Sequence, residues 1–245
     1  MNAPVIELKD TSFSAQDKAI VRNISIAFAE GETVALIGPS GGGKSTVLKL
    51  AAGLILPSDG EVLYREQDIS LMNRQQTLAF RKEAAFVFQD SALWANQTLR
   101  QSLELPLMIH FPKMTQNQRT ARITEVMAEV GYKKTLDIRP SQLSMGEQKL
   151  IAFARAQMCS PSLLFLDEWT ESLDDSAARR LVNAVRRKQQ NGTTIVFVSH
   201  NFKVIREVAQ RICMITDGQL SLSVTAEEFA ANESLAKMIE KGIAL

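Results

Sequence analysis

Between the apolar run Thr33–Ile37 (TVALI) and a helix-forming segment over residues 46–52 stands Gly38-Pro39-Ser40-Gly41-Gly42-Gly43-Lys44-Ser45. No other stretch restricts the fold of this chain as strongly. It satisfies G-x-x-x-x-G-K-[ST] in the context that pattern requires, a buried strand leading in and a helix leading out. Glycines let the backbone wrap phosphate oxygens closely, with amide N–H groups and a helix N-terminus aimed at the charge. Gly38 through Ser45, with Thr46 behind them, are therefore expected to cradle nucleotide phosphates. Lys44 would reach the terminal phosphates, and the Ser45 hydroxyl would ligate Mg²⁺.

A phosphate loop of this kind belongs at the end of a strand in an α/β sheet, and the rest of the chain agrees. Near-continuous apolar runs at residues 163–166 (LLFL), 194–198 (TIVFV) and 84–88 (AAFVF) read as strands covered on both faces. Segments around residues 5–8 and 20–28 alternate more and predict an antiparallel flank, joined by a further strand at residues 61–64 after the turn Pro57-Ser58-Asp59-Gly60. Residues of about 90–160 carry no strong strand signal. There Ile123, Val126, Met127 and Val130 recur at helical spacing, which predicts an inserted helical subdomain. From about residue 224 onward a helical tail is expected, because Thr225 and Glu228 have capping-box spacing and Leu235, Met238 and Ile239 follow on one face. Residues 1–245 thus read as a single α/β domain, with no internal repeat and no linker long enough to separate two.

Two carboxylates, Asp167 and Glu168, follow the apolar run at 163–166. Ligands of open α/β sheets sit outside the C-terminal ends of the strands. Asp167 is placed to hold Mg²⁺ and Glu168 to take a proton from an attacking water.

Upstream of the carboxylates, with Gly146 21 residues before Asp167, lies Leu143-Ser144-Met145-Gly146-Glu147, in which Ser144 and Glu147 have the spacing of a capping box. The segment resembles the LSGGQ/LSGGE signature of the ABC-type ATPases, and the resemblance covers nearly the whole chain. Gln89 (FVFQD) occupies the Q-loop position, Ser172-Leu173-Asp174 is similar to the D-loop, and His200 (FVSH) ends a strand like the switch histidine. Six motifs in one order identify the chain as a member of that family. The resemblance implies a RecA-like P-loop NTPase core that binds and hydrolyses ATP with Mg²⁺. Gln89 would join Ser45 and Asp167 at the metal and sense the transport partner, while His200 would touch the γ-phosphate. It also implies a head-to-tail pair in which Ser144, Met145, Gly146 and Glu147 of one copy, with Asp174, complete the nucleotide site of the other.

The chain departs from the family pattern at several positions. Met145 replaces the first signature glycine, Leu150 a common arginine, Trp169 the proline after the glutamate, and Asp175 a proline after the D-loop. The aromatic residue that stacks on adenine falls near Ala15, which cannot stack. Phe13 reads as a core residue, so no stacking residue is assigned.

Lys and Arg number 28 against 27 Asp and Glu, a balance that gives no support to nucleic acid as a partner. No apolar stretch is long enough to span a bilayer, and the first ten residues lack a signal peptide's basic start and apolar core. Cys159 and Cys213 suit neither a metal-ligand spacing nor a disulfide framework. These features predict a cytoplasmic protein, and the family resemblance implies one peripheral on the inner membrane that serves a separate membrane permease. Residues 88–107 (FQDSALWANQTLRQSLELPL) and 225–243 resemble the corresponding parts of the Mla/Mce-type phospholipid-transport ATPases, which implies lipid as cargo. Cell-division and lipoprotein-release ATPases share much of the first stretch. An iron–sulfur assembly ATPase with soluble partners is the other class that fits.

Overall fold

The alternating strands and helices assemble into two sheets with helices between and around them. The computed structural model describes residues 4–231. In chain order these are β1 (Pro4–Ala15), β2 (Lys18–Ala29), β3 (Thr33–Ile37), α1 (Lys44–Ala51), β4 (Asp59–Tyr64), β5 (Gln67–Asp68), α2 (Arg74–Glu83) and β6 (Ala84–Val87). Next come α3 (Leu99–His110), α4 (Gln116–Val130), α5 (Met145–Gln157), β7 (Leu163–Asp167) and α6 (Asp175–Gln190). The described chain ends with β8 (Thr194–Val198), α7 (Phe202–Val208), β9 (Arg211–Thr216), β10 (Gln219–Thr225) and α8 (Ala226–Ala231).

The larger sheet runs in the order β10-β9-β3-β8-β7-β6. All its neighbours pair in parallel except the edge hairpin β9–β10. The smaller sheet, β2-β1-β4-β5, is antiparallel throughout. Successive side chains of a strand point to opposite faces, and each central strand serves two cores. Ala35, Ile37, Leu164, Leu166, Ile195 and Phe197 pack toward the helices α3 to α7. Val34, Leu36, Leu163, Phe165, Val196 and Val198 pack toward α1 and the antiparallel sheet. Burial on both faces is why β3, β7 and β8 are unbroken apolar runs rather than alternating ones.

Residues 99–157 hold three α-helices, a short 3-10 turn at Pro140–Gln142 and no strand. α4 buries Ile123, Val126, Met127 and Val130, the stripe its spacing predicts, and ends on Gly131 in the left-handed conformation. Asn73, Thr98, Thr115 and Ser144 each begin a helix with a reciprocal capping box, so the starts of α2 to α5 are set locally.

A strand hairpin precedes the C-terminal helix, which begins at Ala226. Residues 211–225 form the hairpin β9–β10, and Val224 and Thr225 are its last strand residues. Ile212, Cys213 and Ile215 are buried, and β9 pairs in parallel with β3. Only then does α8 begin, with Glu228 closing back onto the Thr225 N–H and hydroxyl. Leu235, Met238 and Ile239 lie outside the described residues.

Candidate functional site

The strand order brings the site together. β3, β8, β7 and β6 are consecutive neighbours, and each delivers a sequence-predicted residue at or just past its C-terminal end. The phosphate loop follows β3, His200 follows β8, Asp167 ends β7 with Glu168 next, and Gln89 follows β6. This is the edge where open α/β sheets bind ligands.

In the phosphate loop Gly38 has φ +137°, and a Cβ there would stand 2.0 Å from the Ile215 carbonyl oxygen of β9. Gly43, at φ +97°, is the left-handed residue that turns the loop into α1. Only glycine fits either position. Lys44 is buried, and its Nζ donates to the carbonyls of Gly38 at 3.0 Å and Pro39 at 2.8 Å, bracing the loop from within. Burial lowers its pKa, opposed by the charges of Glu168 and Asp167. A cleft of about 440 Å³ opens over Gly41, Gly43, Lys44, Ser45 and Thr46, walled by Lys18, Ala19, Ile20 and Arg22 of β2 and by Asp217. Ala15 is exposed, and Phe13 is half-buried against the core beneath the antiparallel sheet.

Ser45 Oγ donates to Asp167 Oδ1 at 2.8 Å. Burial raises the Asp167 carboxyl, while the Ser45 bond, Lys49 and Lys44 hold it down. Two hard oxygens in contact, one a buried carboxylate, are donors that fit Mg²⁺. Among the described residues no group of three acidic, His or Cys side chains could cage a metal, so the ion's remaining ligands would be phosphate oxygens and water.

Glu168 is buried and takes a left-handed backbone, φ +44°. Its N–H donates to Val198 O at 3.1 Å, and its Oε1 lies 3.0 Å from His200 Nε2. Burial, then Glu171 and Asp167, push the carboxyl up to about 7. Burial and Lys44 lower His200. Gln89 donates its side-chain amide to Glu171 at 2.8 Å, and no hydrogen bond joins it to Ser45 or Asp167.

Ser144 and Glu147 cap α5 as their spacing predicts. Met145 stands 62% exposed at the first helical position, so its side chain projects outward rather than into the fold. Glu147 Oε1 is 2.6 Å from Lys134 Nζ, and that contact holds its carboxyl below the usual range. Asp174 caps α6 through the Ala177 N–H at 2.8 Å. Among the described residues no hydrogen bond links Ser144, Met145, Gly146, Glu147 or Asp174 to the phosphate loop of the same chain. Trp169 is fully buried, edge-on to Phe197, and Leu150 is a core residue.

Two lysines escaped the reading of the sequence. Lys134 compensates Glu147, and the buried Lys149 donates to the Glu168 carbonyl at 2.7 Å. Lys149 had a signal: it lies four residues before Phe153, on a helix whose neighbouring positions are apolar core.

A family model described as ABC transporter matches residues 21–171. The nickel import ATP-binding protein NikE of Shigella flexneri serotype 5b (strain 8401) is 36% identical over 210 residues, covering 84% of this chain and 78% of that protein. NikE of Escherichia coli (strain K12) is 33% identical over 233 residues, covering 93% of this chain and 87% of its own. The dimeric post-hydrolysis state of the ATP-binding cassette MJ0796, bound to ADP and Pi, superimposes with a TM-score of 0.84 at 28% identity. That match covers 90% of this chain and 98% of the other.

Proposed function

The chain belongs to the ABC transporter family as an ATP-hydrolysing subunit, and on that premise we propose that it drives a separate membrane permease from the cytoplasmic face of the inner membrane. It acts on ATP with Mg²⁺, and its working form is a pair of copies. Among the described residues no helix is long and apolar enough to cross a membrane, so the translocation path comes from other subunits.

The observation that carries the reading is the meeting of Ser45 with Asp167 beside the Glu168–His200 pair, all at the ends of adjacent strands. In this reading the loop amides and the α1 N-terminus bind the phosphates, and Lys44 exchanges its two loop carbonyls for phosphate oxygens. Ser45 and Asp167 would hold Mg²⁺, which would neutralise charge on the phosphates. Glu168 accepts the proton of the attacking water, and its raised pKa matches that task near neutral pH. His200 orients the Glu168 carboxylate and reaches the γ-phosphate. Gln89, bonded to Glu171 here, would join Ser45 and Asp167 at the metal and sense the permease. Ser144, Met145, Gly146 and Glu147 present the capped N-terminus of α5 to the nucleotide of the partner copy, with Asp174 beside them.

Two cargo classes each have one observation in their favour. The relatives are named for nickel import, which supports nickel as cargo. Phospholipid rests only on the resemblance of residues 88–107 and 225–243, and the relatives' names give it no support. Copurification from native membranes tests the reading. A multi-span membrane protein retained with the chain, and ATP hydrolysis by the complex, are expected. Recovery with a soluble scaffold alone would refute a transport role. Nickel uptake and lipid distribution in a deletion strain then separate the two cargoes.

A further inference from the structure

We propose that Lys149 is a positioning residue that ties the signature helix of each copy to the catalytic peptide of the same copy. The inference rests on the roles proposed above for Glu168 and for the α5 N-terminus. α5 starts with Met145 and Gly146, and Lys149 is its fifth residue, one turn further along. Lys149 is 4% exposed, and its Nζ donates at 2.7 Å to the backbone carbonyl of Glu168 rather than to a carboxylate. Glu168 needs such a restraint. A glutamate at φ +44° sits in a backbone region that side chains other than Gly, Asn and Asp seldom occupy. Its N–H is held by Val198 of β8 and its carbonyl by Lys149 of α5, so the residue is clamped from two elements.

An apolar side chain would fill the same volume without burying an ammonium, whose desolvation the nearby Glu171, Glu168 and Asp167 only partly offset. What the lysine adds is a charge-assisted bond across 19 residues of chain. A helix is stiff over one turn, so a shift of the α5 N-terminus as it meets the partner's nucleotide moves Nζ and with it the Glu168 peptide. Each signature motif is thereby connected to two sites: the partner's phosphates in front and its own copy's base behind.

The test uses the full chain purified with its membrane subunits and compares K149M, K149R, E168Q and K149M/E168Q. Lost positioning should lower kcat of K149M about tenfold with KM for ATP and melting temperature near those of the unmodified chain. K149R, which keeps the donor, should recover most of that loss. E168Q should be nearly silent, and adding K149M to it should change the residual rate little, because the lysine acts through Glu168. Unaltered kcat in K149M beside a silent E168Q would overturn the inference and leave the base assignment standing. A loss of ATP binding equal to the loss of turnover, not rescued by K149R, would also overturn it and mark the lysine as ordinary packing. Hydrolysis by E168Q at the unmodified rate would remove the base assignment itself.

Discussion

Replacing Glu168 by Gln should stabilise the nucleotide-free chain, and by an amount that depends on pH. The side chain is buried beside Asp167 and Glu171, which lifts its carboxyl from 4.5 to about 7. A folded-state pKa above the unfolded value means that the folded chain binds more protons between those limits. Its contribution is therefore intact below about pH 4.5 and is lost as pH rises through about 7. At about 1.4 kcal/mol per pH unit, the gap between 4.5 and about 7 comes to roughly 3 kcal/mol of destabilisation above neutrality. Gln cannot ionise and escapes it. For a domain of this size about 2–4 °C of melting temperature corresponds to each kcal/mol. The two proteins should thus melt about 2–3 °C apart near pH 5 and about 6–12 °C apart near pH 8.5. Thermal unfolding of both proteins with EDTA and no nucleotide, across that pH range, measures it. A melting difference that stays constant from pH 5 to 8.5 would show that Glu168 titrates normally, and the electrostatic account of the site would fall.

Lys44→Ala removes a charge-assisted contact to phosphate worth roughly 1.5–3 kcal/mol, so ATP affinity by titration calorimetry should fall at least about tenfold; unchanged affinity would take Lys44 out of the site. Trp94 is 47% exposed in the segment after Gln89, and aromatic anchors concentrate at interface centres, so Trp94→Ala should release the membrane subunits while the chain stays soluble and folded. Loss of soluble expression would make it a packing residue instead. Met145→Gly should raise turnover of the assembled complex, because the exposed side chain stands at the helix start expected to face the partner's nucleotide. A fall in turnover would show that the methionine is accommodated there.

Local physics made much of this protein legible from its residues alone. Strand β3, the glycine loop and α1 follow from an apolar run, residues free of a Cβ, and a helix-forming segment within 19 positions of each other. The Ser144–Glu147 and Thr225–Glu228 boxes needed only a spacing of three. The apolar runs of β7 and β8 announced burial on both faces before any neighbour was known. What the sequence could not specify are contacts whose partners lie far away in the chain. That β9 lies beside β3 is one such contact, with Val34 paired to Arg211 across most of the chain. The bond between Ser45 and Asp167 spans 122 positions and that between Gln89 and Glu171 spans 82. The apolar neighbours of Lys149 on α5 signalled its burial, but its bond to the Glu168 carbonyl, 19 positions away, needed the fold. Motifs name the groups because each one's chemistry is local; only the order of β3, β8, β7 and β6 decides which of them meet, since strand pairing, not chain proximity, sets the distance between their ends.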